Sequence, residues 1–173
     1  MLSYWEKESF TNFDHAIVGG GIVGLSTALS LKQLSPNSSI VLLERGLRPS
    51  GASTRNAGFA CFGSVSELLE DIETVGENGM LALVEQRWAG LQLLRNRLGD
   101  DRIGFENHGG YEVLEAKDLT YLDKLERLND LLSPLFTKDV FMPAHENERD
   151  FGFNETMAPG MIYNPFESQI NTG

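Results

Sequence analysis

The sequence predicts an α/β fold that opens on a parallel βαβ unit, and three observations carry that expectation. The apolar run Ala16-Ile17-Val18 has the length of a buried strand. Gly19, Gly21 and Gly24 follow it at GxGxxG spacing, and a second apolar run, Ile40 to Leu43, ends on Glu44, twenty residues beyond Gly24. Any one of these would be weak in a chain with 18 glycines. Together they set out strand, tight turn, helix, strand and acid in the order of a dinucleotide-binding unit.

Each element has a physical reason. Gly19 makes the turn out of the first strand, Gly21 lets the backbone approach a pyrophosphate, and Gly24 lets helix and strand pack closely. The helix that begins near Ile22 and Val23 aims its free amides, with those of Gly19, Gly20 and Gly21, at an anion. Leu25, Ala28, Leu29 and Leu34 approximate its apolar stripe, and Ser35-Pro36-Asn37 ends it. Glu44 stands where a carboxylate accepts from the two ribose hydroxyls of an adenosine, with Arg45 beside it. A 2′-phosphate would meet that carboxylate, which argues against NADP.

The fingerprint alone does not choose between FAD and NAD. The next segment, Pro49-Ser-Gly-Ala-Ser-Thr-Arg-Asn-Ala-Gly-Phe59, bears on that choice. Its small residues permit close backbone approach, and Ser53, Arg55 and Asn56 carry hydrogen-bond donors. The segment resembles the G-A-S-x-x-N-x-G stretch of the D-amino acid oxidase-like family of FAD-dependent oxidoreductases, with Gly51, Ala52, Ser53, Asn56 and Gly58 in the matching places. Arg55-Asn56 and the aromatic leader Ser3-Tyr4-Trp5 most resemble the gamma-glutamylputrescine oxidase-like branch.

The resemblance implies FAD as cofactor and a glutathione reductase-like FAD domain. It further implies contacts from Glu44 and Arg45 on the adenosine side and from Ser53, Arg55, Asn56, Ala57 and Gly58 on the diphosphate or flavin side. It implies oxidation of a small-molecule amine or amino acid, by hydride transfer to flavin, to an imine that water hydrolyses. The cofactor carries that chemistry, so catalytic residues are left unassigned, and those that bind substrate are expected beyond Gly173. Family members run to roughly twice this length, and the resemblance implies a truncated chain: an FAD-binding part over 1–100 and the start of an α+β substrate domain over 101–173. Such a piece is expected to self-associate and to bind FAD poorly. Two other readings are a non-catalytic nucleotide-binding or interaction fragment and an NAD-dependent dehydrogenase.

After Phe62-Gly63 the pattern turns helical. Leu68, Leu69, Ile72 and Val75 make an apolar face, with Glu67, Glu70, Asp71 and Glu73 on a solvated one. Glu77-Asn78-Gly79 is expected to break it, before a second helix from about Met80 to Leu98 with Trp88 turned to the core or an interface and not a ligand stacker. Ile103 to Glu106 and Gly109 to Leu114 read as two strands around a turn at 107–110. A third helix, capped by Asp118, is stopped by Ser133-Pro134.

Lys and Arg number 14 against 25 Asp and Glu, a formal net charge of −11, which repels nucleic acid and anionic membrane. This lowers the option of a modified tRNA base, on which one branch of the family acts. No apolar run approaches the roughly 18 residues of a membrane span, and the first twenty residues lack the basic start of a secretory signal. A cytoplasmic protein is expected. The single cysteine, Cys61, reads as reduced and partly buried. His15, His108 and His145 are too scattered for a metal site. His108 and Tyr111 are minor candidates for touching substrate.

Overall fold

The computed structural model describes residues 1–144, 151–153 and 158–172. These form two compact units, one of residues 1–57 with Thr172 and one of Gly58–Asn171. His145 lies outside the described residues.

The first unit opens with helix α1 (Tyr4–Thr11), started by a capping box. The Ser3 hydroxyl accepts from the Glu6 amide, and the Glu6 carboxylate accepts from the Ser3 amide. Strand β1 (His15–Val18) pairs in parallel with β2 (Ile40–Leu43), in the register His15 with Ile40 through Val18 with Leu43. Helix α2 (Ile22–Leu34) crosses between them, so the expected βαβ unit is present. A clasp sets the register where the strands begin. Asp14 Oδ2 accepts from the Ser39 amide at 2.8 Å and from its hydroxyl at 2.9 Å, while Ser39 Oγ accepts from the Asp14 amide at 2.9 Å.

The expected apolar stripe of α2 needs correcting. Leu25, Leu29 and Leu34 are exposed, and the half-buried side runs through Gly24, Ala28 and Leu31, at steps of four and three. A Cβ on Gly24 would collide with the Gly19 carbonyl oxygen and stand 3.4 Å from Ile17 Cγ2. The glycine therefore sets which side of the helix meets the strand, and the leucines fall on the others.

The second unit holds the core. β3 (Phe59–Ala60) leads into the long helix α3 (Val65–Leu98), whose N-terminus repeats the capping box with Ser64 and Glu67. The break in α3 falls at Gly76, with φ 76° and ψ 170°, and not at Glu77–Gly79. A positive φ is strained for a residue with a Cβ, so the chain turns where the glycine stands. Gly79 stays helical, and a Cβ there would come 2.8 Å from the Val75 side chain.

The expected hairpin over 103–114 does not form. Ile103 ends the short helix α4 (Asp100–Ile103), which Gly104 closes in the left-handed region. Arg95 holds the start of this turn with a two-pronged bond to Asp100, at 2.8 Å from each nitrogen, and lies 3.9 Å over the Phe105 ring. Of that first expected strand, Glu106 makes one bridge, to Gln169. β4 (Gly110–Leu114) pairs instead with a distant strand.

The third expected helix begins as a 3₁₀ run, Ala116–Lys124, capped by Glu115 and not Asp118. It becomes regular only as α5 (Leu125–Leu132). β5 (Met142–Pro143) and β4 flank β6 (Gly160–Asn164) in an antiparallel sheet, and β7 (Ser168–Gln169) pairs with β3. Phe62, Leu68, Met80, Leu114, Leu128 and Ile162 are among the buried side chains between sheet and helices. Trp88 packs edge-on against Phe62 and Phe136, as core and not as a stacking platform for a ligand.

Candidate functional site

The glycine turn lies at the carboxyl ends of β1 and β2. Gly19 has φ 103°, which lets the chain leave β1 sharply, and its amide extends the ladder to Leu43 O at 2.8 Å. Gly20 is buried. Its amide donates to Glu44 Oε2 at 2.8 Å, and the Gly46 amide donates to Glu44 Oε1 at 3.1 Å. These two donors, the Gly20 amide first, hold the Glu44 carboxyl below its ordinary pKa. Glu44 is thus fixed as an anion at the lip of the turn, with its chain neighbour Arg45 exposed.

Gly21 caps α2, where it brings no side chain, and the first turn of that helix contains no acidic residue. The cap is supplied from elsewhere: the Ile22 amide donates to Ser53 Oγ at 3.0 Å. A Cβ on Gly21 would stand 3.0 Å from that same hydroxyl, and one on Gly20 would stand 3.2 Å from Glu44 Oε2. The backbone at these two positions is kept bare by the chain's own polar side chains. Val23 is exposed on the following turn.

Ser53 belongs to a 3₁₀ turn, Ala52–Thr54, inside the small-residue segment. The Asn56 amide donates to Ala52 O at 3.0 Å and to Ser53 O at 3.3 Å, while the Thr54 hydroxyl donates to Pro49 O at 3.0 Å. Asn56 thus closes the loop. Arg55 and Ala57 are exposed beside it. Gly58, with φ 77°, opens the second unit, where a Cβ would collide with the carbonyl oxygen of Ile170. Twelve of the thirteen sequence-selected residues therefore share one unit, and Gly58 belongs to the other.

Three contributors were missed by sequence reasoning. Pro49, whose Cγ would lie 3.5 Å from a Cβ on Gly20, and the Gly46 amide both line the Glu44 side. Ser39 clasps Asp14, and its signal was available as a small polar residue immediately before an apolar run.

Elsewhere, His108 is exposed and lies 3.0 Å from Glu106 Oε2. Tyr111 packs edge-on against Phe151 and at a tilt against Tyr163. Cys61 is exposed, against the expectation of partial burial. Its thiol is nevertheless desolvated, and that desolvation, then Glu167 and Glu67, push its pKa up, which keeps it protonated and a poor nucleophile. Among the described residues no cluster of His, Cys, Asp and Glu could hold a metal ion, and no helix is long and apolar enough to cross a membrane.

The site has the features a diphosphate ester of adenosine requires. The amides of the first helical turn, that of Ile22 held by the Ser53 hydroxyl, follow a turn without side chains, no carboxylate stands in that helical turn, and one carboxylate is held at the end of the second strand. The sequence pattern of a family described as "DAO: FAD dependent oxidoreductase" matches residues 14–167. A search of curated proteins gives no match. Among solved structures, the chain is similar to glycine oxidase from Geobacillus kaustophilus, at 25% identity and a TM-score of 0.55, over 92% of this chain and 41% of that one. It is also similar to iminodiacetate oxidase from Chelativorans sp. BNC1, at 19% identity and a TM-score of 0.53, over 91% and 41% of the two chains. L-amino acid deaminase from Proteus vulgaris matches at 20% identity and a TM-score of 0.56, over 93% and 35%. The chain thus spans about two fifths or less of the length of these relatives.

Proposed function

Since the chain belongs to the DAO family of FAD-dependent oxidoreductases, we propose that residues 19–58 are its FAD-binding segment and that it serves the oxidation of a small-molecule amine or amino acid. The observation that carries this reading is the meeting of the glycine turn with Glu44, amide to carboxylate at 2.8 Å, at the carboxyl end of a parallel strand pair. Gly21, Ile22 and Val23 present backbone donors to the diphosphate, while the Gly20 amide holds Glu44, whose carboxylate accepts from the ribose hydroxyls. Gly19 and Gly24 shape the turn. Ser53, Arg55 and Asn56, with the backbone of Ala57 and Gly58, line the flavin side, and Arg45 flanks the adenosine.

When bound, FAD supplies the acceptor for a hydride from the carbon that bears the amine. The chain's own part is to bind, orient and neutralise. Its held carboxylate and helical amides order the cofactor and leave no nucleophile to be assigned. The relatives named for glycine, iminodiacetate and L-amino acids support a substrate with an amine next to a carboxylate. We extend the proposal to a cytoplasmic setting, in which a lone reduced cysteine is ordinary.

A second reading, nucleotide binding without turnover, is favoured by the make-up of the described site, which consists of backbone amides and one held carboxylate with no side chain assigned to a reacting atom. One experiment separates the two. Purified protein is assayed for bound flavin by absorbance and for amine-dependent reduction of an artificial electron acceptor, with glycine, iminodiacetate and L-amino acids as substrates. Flavin with reduction supports oxidation, flavin without reduction supports the second reading, and absence of both, with no binding when FAD is titrated in, contradicts the binding assignment.

A further inference from the structure

The amide of Ile22 is the first of helix α2, and the glycine at the cap leaves it without a local partner. It is nevertheless occupied, by a hydroxyl 31 residues away: Ser53 Oγ, at 3.0 Å. The loop that carries Ser53 is braced within itself. Its Thr54 and Arg55 amides donate to Gly51 O and Ala52 O at 3.1 and 3.3 Å, and Asn56 and Thr54 tie their side chains to its carbonyls. Within this unit, the hydroxyl of Ser53 makes a bond that pins the braced loop to the helix start.

We propose that Ser53 is an internal stand-in for the diphosphate of the dinucleotide: it holds the α2 N-terminus in the ligand-free chain and yields that amide to a phosphate oxygen on binding. The proposal rests on the dinucleotide reading given above. Its chemistry follows from the donor and acceptor inventory. A serine hydroxyl accepts as a neutral group, whereas a phosphate oxygen is charged and is favoured both by the amide and by the helix dipole. The exchange is therefore downhill. Having released Ile22, the hydroxyl keeps a proton to donate, so a rotation about its side chain turns Ser53 from acceptor into donor toward the same anion. The loop stays docked in both states, first through the amide and then through the ligand. Ser53 is a positioning residue for the cofactor and touches no reacting atom.

The sharpest consequence concerns charge. A carboxylate at position 53 would be an anion that never leaves: it would cap α2 better than serine does and repel the diphosphate. The test uses the 173-residue chain, its Ser53→Ala, Ser53→Asp and Ser53→Thr variants, and ADP as the probe, since ADP carries the adenosine and the diphosphate without the flavin. Amide hydrogen exchange at Ile22 and the thermal midpoint are read without ligand, and ADP affinity is read by calorimetry. Ser53→Ala should speed Ile22 exchange several-fold. Ser53→Asp should slow that exchange and raise the midpoint while weakening ADP by about tenfold or more, the scale of a lost charge-assisted bond plus repulsion. Ser53→Thr, which keeps the hydroxyl, should resemble the parent in both. ADP binding by Ser53→Asp equal to that of the parent, or unchanged Ile22 exchange in Ser53→Ala, overturns the proposal while the dinucleotide reading stands. A parent chain that binds neither ADP nor FAD contradicts the dinucleotide reading itself, and the stand-in role falls with it.

Discussion

The buried hydrophobic side chains, from Ala60 to Ile162, all belong to the unit that begins at Gly58, while Val18, Val23, Leu29 and Leu43 in the unit of the glycine turn are exposed. The two regions are shaped by different means. Gly58–Asn171 is organised by a core, in which α3 and α5 bury apolar faces against the sheet β4-β6-β5. The βαβ unit is organised by a ladder and by side chains that bond to backbone: the Asp14–Ser39 clasp, Glu44 on Gly20 and Gly46, and Ser53 on Ile22. The comparison teaches that a motif can fix a backbone through glycines and hydrogen bonds where burial contributes little.

The first way to break this contrast is to cut side chains in each region. Phe62→Ala should cost about 3–5 kcal/mol by denaturant unfolding, through transfer and cavity terms together. Val18→Ala, at a strand position 86% exposed, should stay within about 0.5 kcal/mol. A Val18→Ala loss comparable to that of Phe62→Ala would mean that the first unit has a core of its own.

The capping boxes sharpen it further, because the same motif starts a helix in each unit. Ser64→Ala should lower global stability by about 1 kcal/mol, since α3 carries Val65 and Leu68 into the core. Ser3→Ala should fray α1, which buries no residue, and leave the global transition unmoved. Circular dichroism with denaturant titration reads both.

The smallest effects, and the most specific, concern two carboxylates with opposite shifts. Glu44 has its folded pKa lowered by the Gly20 and Gly46 amides, so its contribution is present above the unfolded carboxylate pKa and is lost as pH falls through the folded value. Glu167 has its folded pKa raised, first by desolvation and then by Glu112. Its contribution is present below the unfolded pKa and is lost as pH rises through the folded value. Glu44→Gln should therefore destabilise at neutral pH and converge on the parent in acid. Glu167→Gln should stabilise at neutral pH and likewise converge in acid. Unfolding free energies at several pH values check the signs, and equal signs for the two would remove the electrostatic distinction between the regions.

Legibility divides along the same line. β1, α2 and β2 were readable from sequence because a short local pattern of strand, glycines and acid has few other solutions. The loop at 49–58 was readable by resemblance, yet the bond from Ser53 to Ile22 was not, since no local signal reports a partner 31 residues away. In the second unit the hairpin expectation failed for a similar reason. Gly110–Leu114 has the composition of a strand, but its partner Gly160–Asn164 lies some fifty residues on, and period-2 patterning identifies a strand without its neighbour. The break in α3 was misplaced by one to three residues because the Asn-Gly pair at 78–79 is the stronger turn signal, while the backbone needed the positive φ at Gly76. Glu112 shows the limit from the other side. Its carboxylate caps α3, accepting from the Val65 amide at 2.9 Å and the Ser66 hydroxyl at 3.1 Å, and nothing around it in sequence marks it as a cap.

The central claim, that residues 19–58 bind the dinucleotide, is tested most directly by titrating FAD into the isotopically labelled chain and following backbone amide shifts residue by residue. The account predicts saturating shifts concentrated on Gly19 to Gly24, Glu44 to Gly46 and Ala52 to Gly58, all abolished by Gly21→Val. Shifts centred on the core helices α3 and α5, or a Gly21→Val chain that titrates like the parent, would contradict it.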